Sequence, residues 1–503
     1  MKNEILQKAF LVTRVLTQIV FLLLGILLTF LYICLLTLLT PIYIYRFILS
    51  KTSKYFNPSL GKMVTARGQF FAAEDFTSGK PSRAAIVMTS GLTGHLSVEE
   101  VKRLVLRDLV NLMASKISNE PKYPELQQYI TTWMGFRFWK PEENFNIDDH
   151  VKLYQTQTNT LTAEGLREFI EKMINHPFQQ KKSPWEIYVA YNYFDPTFSS
   201  EPMTMFTIRT HHCLADGYGL LHTFLANLGT LPPSATPKYH YRPTWRHLLF
   251  QISFPLRVFY EVSRFAKMSV QSHPWKVPDA NKKWKQIYWK SQPIPLKKIK
   301  VIKNHFNVSF SSVLQAAYTA ATRRSLLENC GESSEMNSVP CVMIMPLPNH
   351  PKKLRNYATG AYINLPTKHS DRVIRLQECE KEINYAKRST SPFLGKYLVV
   401  LGGSLTTGLT PLLLTNRSFP VGISNFPIGT SKCEIVGRKV MHVSLGAGGQ
   451  AGVAGMNYFV YTYDDYLEFS AIAECSVMTH DGLKKLVESI VDEIDSLYSL
   501  SIP

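Results

Sequence analysis

Cysteine is sparse and scattered in this chain of 503 residues. Its seven cysteines (Cys34, Cys213, Cys330, Cys341, Cys379, Cys433 and Cys475) are odd in number, and no two form a Cys-x-x-Cys pair. This argues against a disulfide framework and against a zinc site, and fits free buried thiols in a reducing compartment. Acidic residues are also in deficit: 38 Asp and Glu face 56 Lys and Arg, a formal net charge of +18. Such a balance calls for an anionic partner, whether a membrane surface, a nucleic acid or an acidic ligand. The glycine-rich stretch 446–455 lacks a phosphate-loop lysine and carries no nucleotide assignment. No repeat at solenoid period is evident.

Charge is absent altogether from 15–45, and 21–39 is almost wholly apolar. About 20 such residues span a bilayer core, so the run reads as a transmembrane helix with some excess length. A cleaved signal is the competing reading, but its apolar region runs only ~7–15 residues. Pro41 is expected to end or kink the helix near the interface. Lys2, Lys8 and Arg14 precede it, while Arg46, Lys51, Lys54 and Lys62 follow. That slight excess on the second side favours a cytosolic body, and a hairpin re-entering one leaflet fits the same composition. A second uncharged run, 397–416, contains Gly402, Gly403, Gly408 and Pro411. Its low helix propensity favours a buried or interfacial helix over a second span.

The chemistry concentrates at 211–217, His-His-Cys-Leu-Ala-Asp-Gly. Before it, Met205, Phe206, Thr207 and Ile208 are β-formers. After it, Leu220, Leu221, Phe224, Leu225 and Leu228 recur at helical spacing. The two histidines therefore stand between a strand and a helix, where rigid elements can aim side chains into a cleft. A His with an Asp four residues on fits an oriented imidazole and a carboxylate that shapes the loop. Elsewhere, 84–88 reads as a strand and Ser97 as a helix cap. His150 reads as structural. The middle, to about residue 295, is broken by Pro232, Pro233, Pro237 and Pro243 and mixes Trp275, Trp284, Tyr288 and Trp289 with Lys282, Lys283, Lys285 and Lys290. Aromatic and basic residues together suit a membrane interface or a nucleic-acid surface, and the anchor favours the membrane. A solvated crossover between two lobes is compatible with both. Further on, Ser311 or Ser312 should cap a helix, 339–346 reads as a strand, Asp464-Asp465 as a hairpin turn and Thr479 as the final cap.

The 211–217 stretch resembles the His-His-x-x-x-Asp-Gly motif of the CoA-dependent acyltransferase superfamily, which includes chloramphenicol acetyltransferase and peptide-synthetase condensation domains. Residues 145–151 and 184–187 precede it in the order seen in the wax ester synthase/diacylglycerol acyltransferase family, and Ser424-Asn425-Phe426-Pro427-Ile428-Gly429 is similar to that family's Ser-Asn-x-Pro-Gly segment. Two departures stand out: Ser311-Ser312 where the family usually carries Asn-Asp, and Ile428 inserted before Gly429. The Asp-Phe-Gly-Trp-Gly segment of the related plant-type enzymes is absent.

The resemblance implies an α/β, two-lobed, chloramphenicol acetyltransferase-like fold behind an N-terminal transmembrane helix. The divisions would be an anchor at 1–50, a first lobe at 51–235, a crossover at 236–295 and a second lobe at 296–503. It implies an O-acyltransferase moving a fatty acyl group from acyl-CoA to a long-chain alcohol or diacylglycerol, at an endoplasmic reticulum or lipid-droplet surface. His212 would be the general base, His211 and Asp216 would hold the loop, and Gly217 would keep the channel open. Ser424 and Asn425 are the candidate oxyanion donors. No bound cofactor, metal or nucleic acid is implied, with acyl-CoA as co-substrate and membrane lipid as partner. A lipid-binding or tethering protein of the same fold is the alternative.

Overall fold

The computed structural model describes residues 2–73, 82–113, 121–156, 159–230, 245, 249, 252–276, 283–330, 337–347, 349–351, 353–414, 419–448 and 454–502. The expected breaks at Pro232, Pro233, Pro237 and Pro243, together with Lys282, lie outside them. From the N-terminus run α1 (Lys2–Phe56), α2 (Ala66–Phe71), β1 (Ala85–Thr93), α3 (Val98–Val105), β2 (Gln128–Trp133), β3 (Phe136–Pro141), β4 (Val151–Leu153) and β5 (Leu161–Thr162). Then come α4 (Ala163–Asn175), β6 (Trp185–Phe194), β7 (Met203–His211), α5 (Gly217–Leu220), α6 (Ala226–Leu228), α7 (Phe254–Val270), β8 (Gln286–Lys290) and β9 (Ile294–Pro295). The rest comprises α8 (Leu296–His305), α9 (Phe310–Cys330), β10 (Val339–Pro346), β11 (Ala358–Leu365), α10 (Arg372–Arg388), α11 (Ser391–Gly403) and α12 (Thr410–Leu414). It ends with β12 (Val421–Gly429), β13 (Glu434–Ile435), β14 (Arg438–Ala447), β15 (Met456–Tyr463), β16 (Tyr466–Glu474) and α13 (His480–Ser499).

Two sheets define two lobes. The first has the order β13-β14-β1-β7-β6-β4, with β5 also on β6; the second runs β11-β10-β12-β15-β16-β8, with β9 on β16. Every residue of β7 is buried, as a central strand covered on both faces requires. β14 comes from the C-terminal half yet pairs antiparallel with β1, from Ile86↔Ala447 to Leu92↔Val440. β13 and β14, which lie within the expected second-lobe span 296–503, thus complete the first lobe's sheet and cover an edge that β1 would otherwise expose.

Where β14 meets β16, the fully buried Glu468 accepts through Oε2 from Lys290 Nζ at 3.0 Å and from Tyr461 Oη at 2.5 Å, and His442 Nε2 lies 3.3 Å from Oε1. Burial alone would raise the Glu468 carboxyl. Lys290 and His442 outweigh it and hold the group at about 2. A buried charge requires such partners.

Several local expectations hold. The Asp464-Asp465 turn joins β15 to β16, Thr479 accepts from Gly482 N at 3.1 Å, and the strand at Val339–Pro346 is present. The cap of α9 is corrected. Ser309, not Ser311 or Ser312, accepts from Ser312 N at 3.3 Å, while Ser312 Oγ donates to Glu380 at 2.6 Å on α10. Pro41 does not end α1, which continues to Phe56. Thr37 and Thr40 donate back to Ile33 O and Leu36 O, and Leu49 beyond the proline packs into a core with Phe136 and Phe138. The described part of the uncharged run, 397–414, is divided between α11 and α12, and α11 packs on α2 and β11.

Candidate active site

The motif loop leaves β7 at His211 and enters α5 at Gly217, with Asp216 as the N-cap. Of its seven residues only His212 and Gly217 are half-buried, and the rest are buried. His211 is fixed from three sides. Its N–H donates to Pro184 O at 2.9 Å, Cys213 N donates to its Nδ1 at 3.1 Å, and its ring meets Phe178 edge to face. Because Nδ1 accepts, the ring proton sits on Nε2.

His212 is held by a residue 144 positions downstream. Asn356 Nδ2 donates to the His212 carbonyl at 2.7 Å, and Asn356 Oδ1 lies 2.8 Å from His212 Nδ1. A carbonyl can only accept, so the amide nitrogen must face it and the amide oxygen must face the ring. His212 Nδ1 therefore carries the proton, and Nε2 keeps its lone pair. Phe71, from α2, stacks on the ring at 4.1 Å and 11°. Burial pushes the imidazole below its ordinary value, against the opposing pull of Asp216 and of its hydrogen bonds. The result is a neutral, oriented imidazole.

Asp216 joins the two lobes. It accepts from Gly219 N at 2.8 Å, from Tyr357 N at 2.5 Å and from His350 Nε2 at 3.2 Å. Burial acts to raise this carboxyl, and His350 with the two backbone donors holds it below the usual range. Its oxygens are committed to these partners, which places Asp216 behind the loop.

The expectation for Gly217 is corrected. A Cβ there would lie 2.7 Å from the Phe426 ring, so the space glycine leaves is filled by that ring and is not open channel. The same contact brings β12 against the motif. Successive strand residues point to opposite faces. Phe426 belongs to the first lobe's core, whereas Val421 and Ile423 belong to the second's. Ser424 therefore shares the motif-facing side with Phe426. Asn425 faces away, and its Oδ1 lies 3.5 Å from Tyr318 Oη of α9. The structure thus separates the two expected oxyanion donors and corrects the expectation for Asn425. Ile428 produces no broken turn: the β12–β15 register shifts between Pro427 and Gly429, and buried Ile428 is the extra residue of a β-bulge.

Three residues at the site carry no sequence signal of their own: Asn356, Phe71 and Arg67. Arg67 Nη1 donates to Asn356 O at 3.4 Å, and its guanidinium lies 5.3 Å from the Tyr357 ring centre. His150 is structural, bonded to Trp185 O and Glu142 and stacked between Phe145 and Trp185. Among the described residues no group of three His, Cys, Asp or Glu could hold a metal ion.

Two family profiles match the chain. The wax ester synthase/diacylglycerol acyltransferase catalytic domain covers 87–247, and the C-terminal domain of the same family covers 355–498. The chain belongs to this family. His212 and Asp216 lie in the first matched region and Asn356 and Tyr357 in the second, so the two matched regions meet at the motif. No individual curated protein matches. Among solved structures, a wax ester synthase/diacylglycerol acyltransferase from Marinobacter aquaeolei VT8 is similar with a TM-score of 0.57 at 15% identity, over 87% of this chain and 99% of that one. A trichothecene 15-O-acetyltransferase from Fusarium sporotrichioides gives 0.58 at 11% identity, over 86% and 94%. A mutant starter condensation domain of rhizomide synthetase in complex with C8-CoA gives 0.55 at 11%, over 90% and 97%. At these identities the likeness is one of fold, and it establishes the two-lobed α/β acyltransferase architecture.

Proposed function

We propose that this acyltransferase moves a long-chain acyl group from acyl-CoA to a lipid hydroxyl, a fatty alcohol or diacylglycerol, with His212 Nε2 as general base. The observation that carries the reading is the two-point hold of Asn356 on His212, which leaves a basic lone pair on the one motif side chain that combines a titratable ring with partial exposure. A hydroxyl is a poor nucleophile at neutral pH, so its proton must leave as it attacks the thioester carbonyl. Nε2 takes that proton, and the carbonyl oxygen becomes an oxyanion. Ser424, on the motif-facing side of β12, is the candidate donor to it. Collapse of the tetrahedral intermediate breaks the C–S bond, and the imidazolium returns its proton to the CoA thiolate. Asn356 is a neutral partner, so it orients the ring without a second charge. His211 and Asp216 hold the loop.

The apolar α1 favours a hydrophobic acceptor and a membrane location, such as the endoplasmic reticulum or a lipid-droplet surface. The two departures from the family pattern do not favour a tethering protein, because Ser312 bonds Glu380 and Ile428 occupies a bulge.

The test supplies membranes bearing the protein with labelled long-chain acyl-CoA and either fatty alcohol or diacylglycerol. Labelled wax ester or triacylglycerol is expected. Absence of both products from a folded, membrane-bound protein would overturn the reading.

A further inference from the structure

Residues 15–56 of α1 have the length and apolar composition to cross a membrane. The body, however, grips this helix at both ends of its apolar run. At one end, Ser263 Oγ of α7 donates to Phe21 O at 2.6 Å, and Tyr260 packs on Phe21. A Cβ at Gly25 would lie 2.0 Å from Phe259 O, so only glycine admits α7 this closely. α7 is itself tied to the second lobe, where Arg264 donates to Tyr362 O at 3.0 Å and pairs with Glu382 at 2.9 Å. At the other end, Arg46 donates to Gln69 at 3.0 Å and to Val64 O at 2.7 Å, and Tyr45 meets the Phe136 ring. Phe21 and Arg46 are twenty-five helical steps apart, a length of about 37 Å, which exceeds the roughly 30 Å of a hydrocarbon core. A perpendicular helix would therefore need the same body on both sides of the bilayer. Between the two ends, Gly25 is buried and Leu28, Tyr32, Leu36, Leu39 and Ile42 are half-buried at helical spacing, while the apolar residues of the opposite side, among them Leu23, Leu27, Phe30 and Leu38, are exposed.

We propose that α1 does not cross the membrane but lies in the plane of one leaflet, its apolar outer face embedded and its inner stripe on the body. The occupant of the exposed face is the outer leaflet of a phospholipid membrane. Charge placement agrees: Lys267 of α7 lies 5.4 Å from the Phe21 ring centre, which suits headgroup depth and not the bilayer centre. α11, which packs on α7, adds exposed Phe393 and Tyr397 with Lys396 between them. α11 packs on α2, whose Phe71 stacks on His212, so an acceptor dissolved in that leaflet has a short path to the base. The inference rests on the membrane association in the proposed function, but its test does not read activity.

Full-length protein carrying one epitope before Lys2 and another after Pro503 is made in sealed microsomes, then treated with protease and, separately, with alkaline carbonate. Both epitopes are expected to be digested from outside, with the chain retained in the carbonate pellet. Protection of the N-terminal epitope alone would overturn the in-plane geometry while leaving acyl transfer untouched. Release into the carbonate supernatant would overturn embedding in the leaflet. A second measurement places a fluorophore at Leu23→Cys, Leu38→Cys or Phe47→Cys in a Cys34→Ala background and quenches it with lipid-borne quenchers. Equal, shallow depths are expected at all three sites. A progression through the bilayer centre would overturn the proposal.

Discussion

Replacing Asn356 with alanine removes both bonds that hold His212, at 2.7 and 2.8 Å, without touching the motif itself. A buried neutral hydrogen bond contributes about 0.5–1.5 kcal/mol net. Losing the pair therefore costs about 1–3 kcal/mol of ring orientation, or roughly a 5- to 150-fold fall in kcat. KM for acyl-CoA should change little, because Asn356 acts on the base and not on the substrate. Asn356→Asp is the informative companion. It keeps an acceptor for Nδ1–H but adds a negative charge that favours the imidazolium. Burial depresses the His212 pKa in the wild type, so the acid limb of kcat/KM should lie below the ordinary histidine range, about 6.5. The aspartate should move that limb upward. The assay is steady-state transfer of labelled acyl-CoA to the preferred acceptor across pH, on membranes with matched protein content. Wild-type kcat in Asn356→Ala, or a limb that does not move in Asn356→Asp, would refute the reasoning.

The Gly217→Ala methyl would meet the Phe426 ring at 2.7 Å. Overpacking of this kind costs about 1–3 kcal/mol, so melting temperature and activity should both fall, and Phe426→Leu in the same chain should restore part of each. Ser424→Ala should lower kcat by about 10²–10³ if its hydroxyl meets the oxyanion, whereas Asn425→Ala should leave kcat within a few fold; the reverse order would invert the strand-face assignment. Glu468→Gln leaves the Lys290 ammonium, on a side chain only 10% exposed, without its counter-charge, and denaturant unfolding should show a loss approaching about 3–5 kcal/mol. In the wild type the depressed Glu468 carboxyl adds stability that is complete above its unfolded value of about 4.5 and is lost as pH falls through about 2.

The parts of this architecture that could be read from the chain are those whose determinants are local. The strand-loop-helix around 211–217 follows from a β-forming run and an apolar helical stripe that lie on either side of the motif. The β15–β16 hairpin follows from Asp464-Asp465, and the last helix from Thr479. Long-range determinants were silent. Asn356 reaches His212 from 144 residues away, and nothing in Arg355-Asn356-Tyr357 distinguishes it from an ordinary turn. The pairing of β14 with β1 joins residues some 350 positions apart, so a boundary placed by composition at 236–295 misses it. Ser424 and Asn425 read as equivalent donors until the contact between Phe426 and Gly217 fixes which strand face meets the loop. The length and apolar composition of α1 were legible in the sequence, whereas the contacts at Phe21 and Arg46, on which the in-plane proposal rests, were not.

The central claim is that His212 Nε2 takes the acceptor's proton. The most direct test compares wild type with His212→Gln, each folded and membrane-bound, in transfer of labelled long-chain acyl-CoA to the lipid alcohol that the wild type accepts. Loss of product by about 10²–10⁴-fold, with acyl-CoA binding retained, is the expected result. Equal rates from the two proteins would contradict it.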